Sequence, residues 1–184
     1  MKGKRSHKDI FFQNTADFFT DFQGLHIRAD HIKLTDFTGL NVAIIDANQH
    51  AISLLHLVCQ QAAQVKVFQI RPPFVLPGTE KGIQKIIAHP LISKNRRLFS
   101  QNIKTMLAIR HLESQVSNNW MKRQLMPNSA SHPKVFFKSD HYYQALQAPN
   151  CQLITWPIIK IDQKYIHTMD KTAHKVDVII TTFD

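Results

Sequence analysis

Asn41-Val42-Ala43-Ile44-Ile45-Asp46-Ala47-Asn48-Gln49-His50-Ala51 passes from an unbroken apolar run into polar residues and then into a helical pattern. Gly39 bounds the run upstream, and Asp46-Ala47-Asn48 bounds it downstream. A short apolar run between turn residues predicts a strand covered on both faces in a parallel sheet. From Gln49 to Gln64, Ile52, Leu55, Val58 and Ala62 recur at spacings of three and four, which predicts a helix. Val65-Lys66-Val67-Phe68-Gln69 then reads as a second strand. Strand, helix and strand in this order form a βαβ unit with adjacent parallel strands and a right-handed crossover.

Moving outward, residues 23–41 are polar and rich in turn formers, and residues 1–22 suggest a basic tip followed by a short helix or ordered aromatic arm. Arg71-Pro72-Pro73 ends the second strand, because proline donates nothing to a ladder. Residues 80–125 read as mainly helical, with a kink at Pro90. Phe99, Ile103, Met106 and Leu107 form one stripe there, which Leu112, Val116 and Trp120 continue. Residues 126–133 read as a loop, and Ser139 as the cap of a short helix through Ala145. The rest reads as strands: 151–155, a hairpin of 158–161 with 165–168 around Asp162-Gln163, and 176–180. The expected fold is therefore α/β: a Rossmann-like three-layer domain with a mostly parallel sheet, a helical insertion and an antiparallel β-meander. Residues 1–35 are expected to form an N-terminal arm and linker, and 36–184 the domain itself.

The chain has 184 residues, with 23 Lys and Arg against 13 Asp and Glu, a formal net charge of +10. That balance favours anionic partners such as phosphates or nucleic acid. No apolar run approaches the roughly 20 residues of a membrane span, and no apolar segment follows the basic N-terminus as a secretory signal requires. Cys59 and Cys151 do not make a disulfide framework or a zinc pattern, and the 11 histidines fall in no metal-binding spacing. A cytoplasmic protein with reduced thiols is the expectation.

The junction after the first strand is where a dinucleotide's pyrophosphate meets a helix N-terminus. Glycines serve there for a tight turn, close backbone approach and helix–strand packing. This chain has Asp46, Asn48 and Ala51 at those three positions, and no glycine between Gly39 and Gly78. By motif alone the junction is not a nucleotide site.

The surrounding residues nevertheless resemble the class B flavoprotein monooxygenases, which comprise the Baeyer–Villiger and flavin-containing monooxygenases. Asp36 to Ala51 follows that family's D-L-T-G-K-R-V-A-V-I-G-x-G-x-S-A block. Val67-Phe68-Gln69-Ile70-Arg71-Pro72-Pro73-Phe74-Val75-Leu76-Pro77 follows its V-F-Q-R-T-P-x-W-V-L-P block. Ser139 to Ile154 follows S-D-D-Y-Y-P-A-L-x-x-P-N-V-x-L-V, and Asp177 to Phe183 follows a shortened D-V-I-V-x-A-T-G-F. The departures are specific. The family's F-x-G-x-x-x-H-x-x-x-W fingerprint survives as Phe22-Gln23-Gly24, with Arg28 at the His position and Ile32 at the Trp position. The arginine that would meet the NADP 2′-phosphate is Ile70, and Arg71 stands one residue late.

The resemblance implies a degenerate NADP-binding domain whose site comprises Asp46, Ala47, Asn48, Gln49, Ala51, Gln69 and Arg71, with no catalytic residue and no metal. Weak NADP(H) binding is expected, because Asp46 sets a carboxylate against the pyrophosphate; without a ligand, Asp46 reads as a helix cap. FAD serves the intact family and is not expected on this chain. Lys66 and Arg71 are the bases nearest a 2′-phosphate, Lys94, Arg96, Arg97, Lys122 and Arg123 read as a solvated helix face, and Tyr142-Tyr143 reads as packing. Expected partners are a separate flavin-domain chain, as in a split monooxygenase, or a second copy. The alternative function is a non-catalytic basic protein that reuses the scaffold to bind an anionic partner such as nucleic acid.

Overall fold

The computed structural model describes residues 19, 21–78, 101–128, 130 and 134–182. Residues 1–18 and 20 of the expected N-terminal arm lie outside the described residues, as do the Pro90 kink, Phe99 and the bases Lys94, Arg96 and Arg97. In chain order the strands are β1 (Leu25–Arg28), β2 (Asn41–Ile45), β3 (Gln64–Phe68), β4 (Phe74–Leu76), β5 (Phe136–Lys138), β6 (Cys151–Ile154), β7 (Ile158–Ile161), β8 (Tyr165–Thr168), β9 (Ala173–Lys175) and β10 (Val178–Thr181). The helices are α1 (Gln49–Gln61), α2 (Gln101–Gln115), α3 (Asn119–Leu125) and α4 (Tyr142–Leu146), with a 3-10 turn at Ala29–Leu34.

A five-stranded sheet runs β1-β10-β2-β3-β6, parallel throughout. Period-two alternation sends its apolar residues to two cores. Val42, Ile44, Val65, Val67, Val178 and Ile180 meet α1, α4 and the ends of α2 and α3. Ala43, Ile45, Phe68, Ile154 and Ile179 meet Ile158, Ile161, Ile166 and Val176 of the antiparallel β7-β8-β9 meander and its exit. Helices, sheet and meander are the three layers read from the sequence, and the apolar strand run follows from burial on both faces.

The motif blocks have local physical causes. Asp36 Oδ1 accepts from Thr38 N–H at 2.9 Å and from the Thr38 hydroxyl at 2.7 Å. Gly39 then takes φ 73°, which turns the chain into β2. Ser139 Oγ accepts from the N–H groups of His141 and Tyr142 in the turn leading into α4, whose cap position is His141 rather than the Ser139 read from the sequence. Asn150 Nδ2 donates to the carbonyls of Cys59 at 2.8 Å and Ala62 at 3.0 Å, tying the end of α1 to the start of β6.

Several expectations are corrected. The turn-rich segment 23–41 contains an edge strand, β1, so the sheet reaches into the stretch assigned to the arm. After the prolines the chain forms β4, which pairs in parallel with β5, and Ala173–Lys175 adds a third meander strand. On α2 the buried set is Thr105, Leu107, Ala108, His111 and Leu112. Of the stripe read from the sequence, Leu107, Leu112 and Val116 are buried and Ile103 packs beside Phe74 and Leu76, whereas Met106 is 40% exposed and Trp120 67% exposed. His111, which apolar spacing does not select, is buried with its Nε2 3.2 Å from the Ser139 carbonyl.

Asp177 joins β10 to β2. Its Oδ2 accepts from the Asn41 N–H at 2.9 Å and from Asn41 Nδ2 at 2.7 Å, and these bonds hold its carboxyl below the usual range. Asp177→Ala removes both and leaves a half-buried N–H without its acceptor. Hydrogen bonds to a charged group contribute about 1.5–3 kcal/mol, so an unfolding free energy lowered by roughly 2 kcal/mol in urea titration is expected.

His174 and His111 add a pH dependence of the same sign as that of Asp177, set at higher pH. His174 is buried against Phe68 in an edge-on ring contact, and its pKa is lowered first by desolvation and then by Lys66. Desolvation likewise lowers His111. A histidine with a depressed folded pKa binds its proton more readily when unfolded. Stability is therefore fully present above the unfolded value of 6.5 and is lost as pH falls below it. Melting temperature should drop as pH falls below 6.5, and His174→Asn should flatten that slope.

Candidate functional site

Strand order places the switch point between β10 and β2, since the chain leaves β2 toward β3 and β6 and returns to β10 on the other side. Ligands of open α/β sheets bind in the crevice beyond the strand C-termini at such a point. Here that crevice is built by Asp46 to Gln49 after β2 and by Thr181-Thr182 at the end of β10.

Asp46 has φ 67°, the left-handed conformation that glycine adopts freely. The turn therefore keeps the backbone of a glycine position while carrying a side chain. Asp46 is only 7% exposed, and its N–H donates to the Phe68 carbonyl at 2.9 Å, which pins the turn to β3. It is not the helix cap. That role falls to Asn48, whose Oδ1 accepts from Ala51 N–H at 2.9 Å while Nδ2 reaches the Thr182 carbonyl at 3.5 Å.

Gln49 is engaged elsewhere. Its Oε1 accepts from Lys138 N–H at 3.0 Å and its Nε2 donates to the Lys138 carbonyl at 2.9 Å. The side-chain amide thus copies a strand partner and docks β5 on α1. Ala51 is 3% exposed, packed in the core beneath α1, and Ala47 is half-buried beside it. Gln69 is 1% exposed; its Oε1 accepts the Tyr142 hydroxyl at 2.7 Å, and its Nε2 is buried with no hydrogen-bond partner among the described residues. Burial, Tyr143 and then the neighbouring Asp46 push the Tyr142 hydroxyl well above its usual pKa, so it acts as a permanent donor. Arg71 is exposed on the turn after β3. Lys66 does not face the junction: its Nζ donates to the Lys175 carbonyl at 2.9 Å, bracing the meander.

The structure thus brings Asp46, Ala47, Asn48 and Ala51 together at one turn and Gln69 within the buried layer beside it. Sequence reasoning missed Tyr142 as the partner of Gln69 and Lys138 as the partner of Gln49. The S-D-x-Y-Y block was the available signal for the first; the second pairing joins backbone to side chain and leaves none. The space is small. A cavity of about 10 Å³ lies among Asp46, Ala47, Ala51 and Tyr142, and one of about 100 Å³ among Arg28, Asn48, His50, Thr181 and Thr182. Among the described residues no group of three His, Cys, Asp or Glu could hold a metal, and no helix is long and apolar enough to cross a membrane.

The residues present do not fit a dinucleotide pyrophosphate. The turn carries a side chain, Asp46, at φ 67° where a dinucleotide cradle uses glycine. Two unit charges about 4 Å apart repel by about 4 kcal/mol at an effective dielectric near 20.

No family model matches the chain. A Baeyer–Villiger monooxygenase of Pseudomonas aeruginosa is 26% identical over 167 residues, covering 79% of this chain and 32% of that protein. The FAD-binding monooxygenase ktnD of Aspergillus niger is 28% identical over 171 residues, covering 79% of this chain and 28% of that one. The chain therefore spans about a third or less of the curated relatives it matches. An oxidized steroid monooxygenase bound to NADP superposes with a TM-score of 0.71 at 18% identity, over 91% of this chain and 43% of that one. Fold, motif blocks and relatives agree, and the chain is a homologue of the class B flavoprotein monooxygenases over a Rossmann-type part of their length.

Proposed function

We propose that this chain is a degenerate NADP-binding-type domain: it retains the scaffold, binds NADP(H) weakly or not at all, and is catalytically inactive alone. The observation that carries the reading is Asp46, a 93%-buried acid standing in a left-handed turn where the related enzymes have glycine. The neighbouring side chains give the same direction. Asn48 uses its oxygen to cap α1, and Gln49 is bound to Lys138, so neither side chain is directed to a phosphate. FAD chemistry in this reading belongs to a flavin-binding part outside the described domain, on this or another chain.

Calorimetric titration of NADPH into the purified protein at low salt tests it. Binding no tighter than about 1 mM is expected. A micromolar dissociation constant would overturn the reading. The purified protein is expected to be colourless, since bound flavin is yellow.

A further inference from the structure

Outside the crevice, the chain's two cysteines lie together. Cys59 sits on the last turns of α1 and Cys151 opens β6, yet their thiols hydrogen-bond to each other. The frame around them is fixed. Asn150, next to Cys151, donates its side-chain amide to the Cys59 carbonyl at 2.8 Å and to Ala62 at 3.0 Å. Cys151 N–H donates to the Ala148 carbonyl at 2.9 Å, and Cys151 pairs with Val65 in the sheet. Cys59 Sγ lies 3.8 Å from the Ala145 carbonyl of α4. Both cysteines are free and partly buried.

We propose that Cys59 and Cys151 are a reversible dithiol–disulfide pair, oxidised by low-molecular-weight disulfides such as oxidised glutathione. The Cys59 thiolate attacks one sulfur of oxidised glutathione, forming a mixed disulfide and releasing one glutathione thiolate. The Cys151 thiolate then attacks Cys59 Sγ, forms the internal bond and releases the second glutathione. The two protons of the protein thiols end on the two released glutathiones, and the protein loses two electrons while glutathione disulfide gains them. The contact between the two thiols lowers the pKa of Cys59, while the same contact and burial raise that of Cys151, so Cys59 is the thiol written as attacking first. The bond would fasten α1, the helix that begins at the crevice, to the edge strand β6. It closes a loop of roughly 90 residues, long enough to restrict the unfolded chain substantially.

The inference is independent of nucleotide binding and has its own readout. The full chain is incubated with graded mixtures of reduced and oxidised glutathione, quenched with acid and analysed by intact mass and peptide mapping. A species lighter by two hydrogens, with a Cys59–Cys151 peptide cross-link reversed by dithiothreitol, is expected, together with a melting temperature higher by roughly 5–10 °C. Cys151→Ser should trap glutathione on Cys59 and form no internal bond. Two free thiols, glutathione on the native chain without a cross-link, or cross-links only between chains would each overturn the proposal. Because the decisive readout is on the unaltered protein, a variant that folds poorly does not obscure it.

Discussion

An Asp46→Gly chain is expected to bind NADPH about a thousandfold more tightly than the unaltered protein. The figure follows from the repulsion of about 4 kcal/mol between the carboxylate and an approaching phosphate, with each 1.4 kcal/mol a factor of ten. The substitution suits the backbone. Asp46 already has φ 67°, so glycine inherits an unstrained position, and the N–H bond to the Phe68 carbonyl is untouched. Relief of left-handed strain, about 1 kcal/mol, is largely offset by glycine's extra freedom when unfolded, about 0.5–1 kcal/mol. Asp46→Asn separates charge from bulk, because asparagine tolerates the same backbone but carries no charge. It should recover most of the gain if repulsion dominates. Equal and feeble binding by all three proteins in calorimetry would show that Asp46 is not what keeps NADPH out.

Gly24→Ala should lower stability by about 3 kcal/mol, the upper end of what an added methyl costs in a packed site. A Cβ at Gly24 would fall on the Asp177 carbonyl oxygen and on the Phe22 ring. The ring can move, but the carbonyl cannot. It accepts the Leu25 N–H at 3.0 Å at the start of the β1–β10 ladder, and the adjoining Asp177 N–H is bound to Asn41. Relieving the clash therefore displaces an edge strand and loosens the β10–β2 joint. Gly39→Ala is the matched control. Nothing lies within 4 Å of its Cβ, so only the cost of φ 73° applies, about 1–2 kcal/mol. Urea unfolding should rank Gly24→Ala as clearly the more damaging; an equal loss would mean that the close approach at Gly24 is relieved without disturbing β1.

Legibility in the sequence tracked the range of the interactions. The unit β2-α1-β3 was readable because each element carries its own periodicity, and the meander hairpin because both strands flank one short turn. β1 was not readable: its residues Leu25 to Arg28 are mostly exposed, and their partners are Val178 to Thr181, at the other end of the chain. β4, β5 and β9 have three residues each, too short for an alternation to register. The stripe through α2 was readable at Leu107, Leu112 and Val116, but the burial of His111 against the Ser139 carbonyl is not encoded in apolar spacing.

At the crevice the same division holds. Residue identities and spacing alone established a strand-to-helix junction with an acid and an amide at two glycine positions, and tied the chain to a monooxygenase-like lineage. Tertiary structure decided the roles: Asp46 takes the left-handed turn, Asn48 is the cap, Gln49 is bound to Lys138, and Gln69 to the Tyr142 hydroxyl. The reason is that a side chain's chemistry is set by its type, whereas the partner that satisfies it is set by burial, and these partners come from segments brought together only when the sheet closes over α1 and α4.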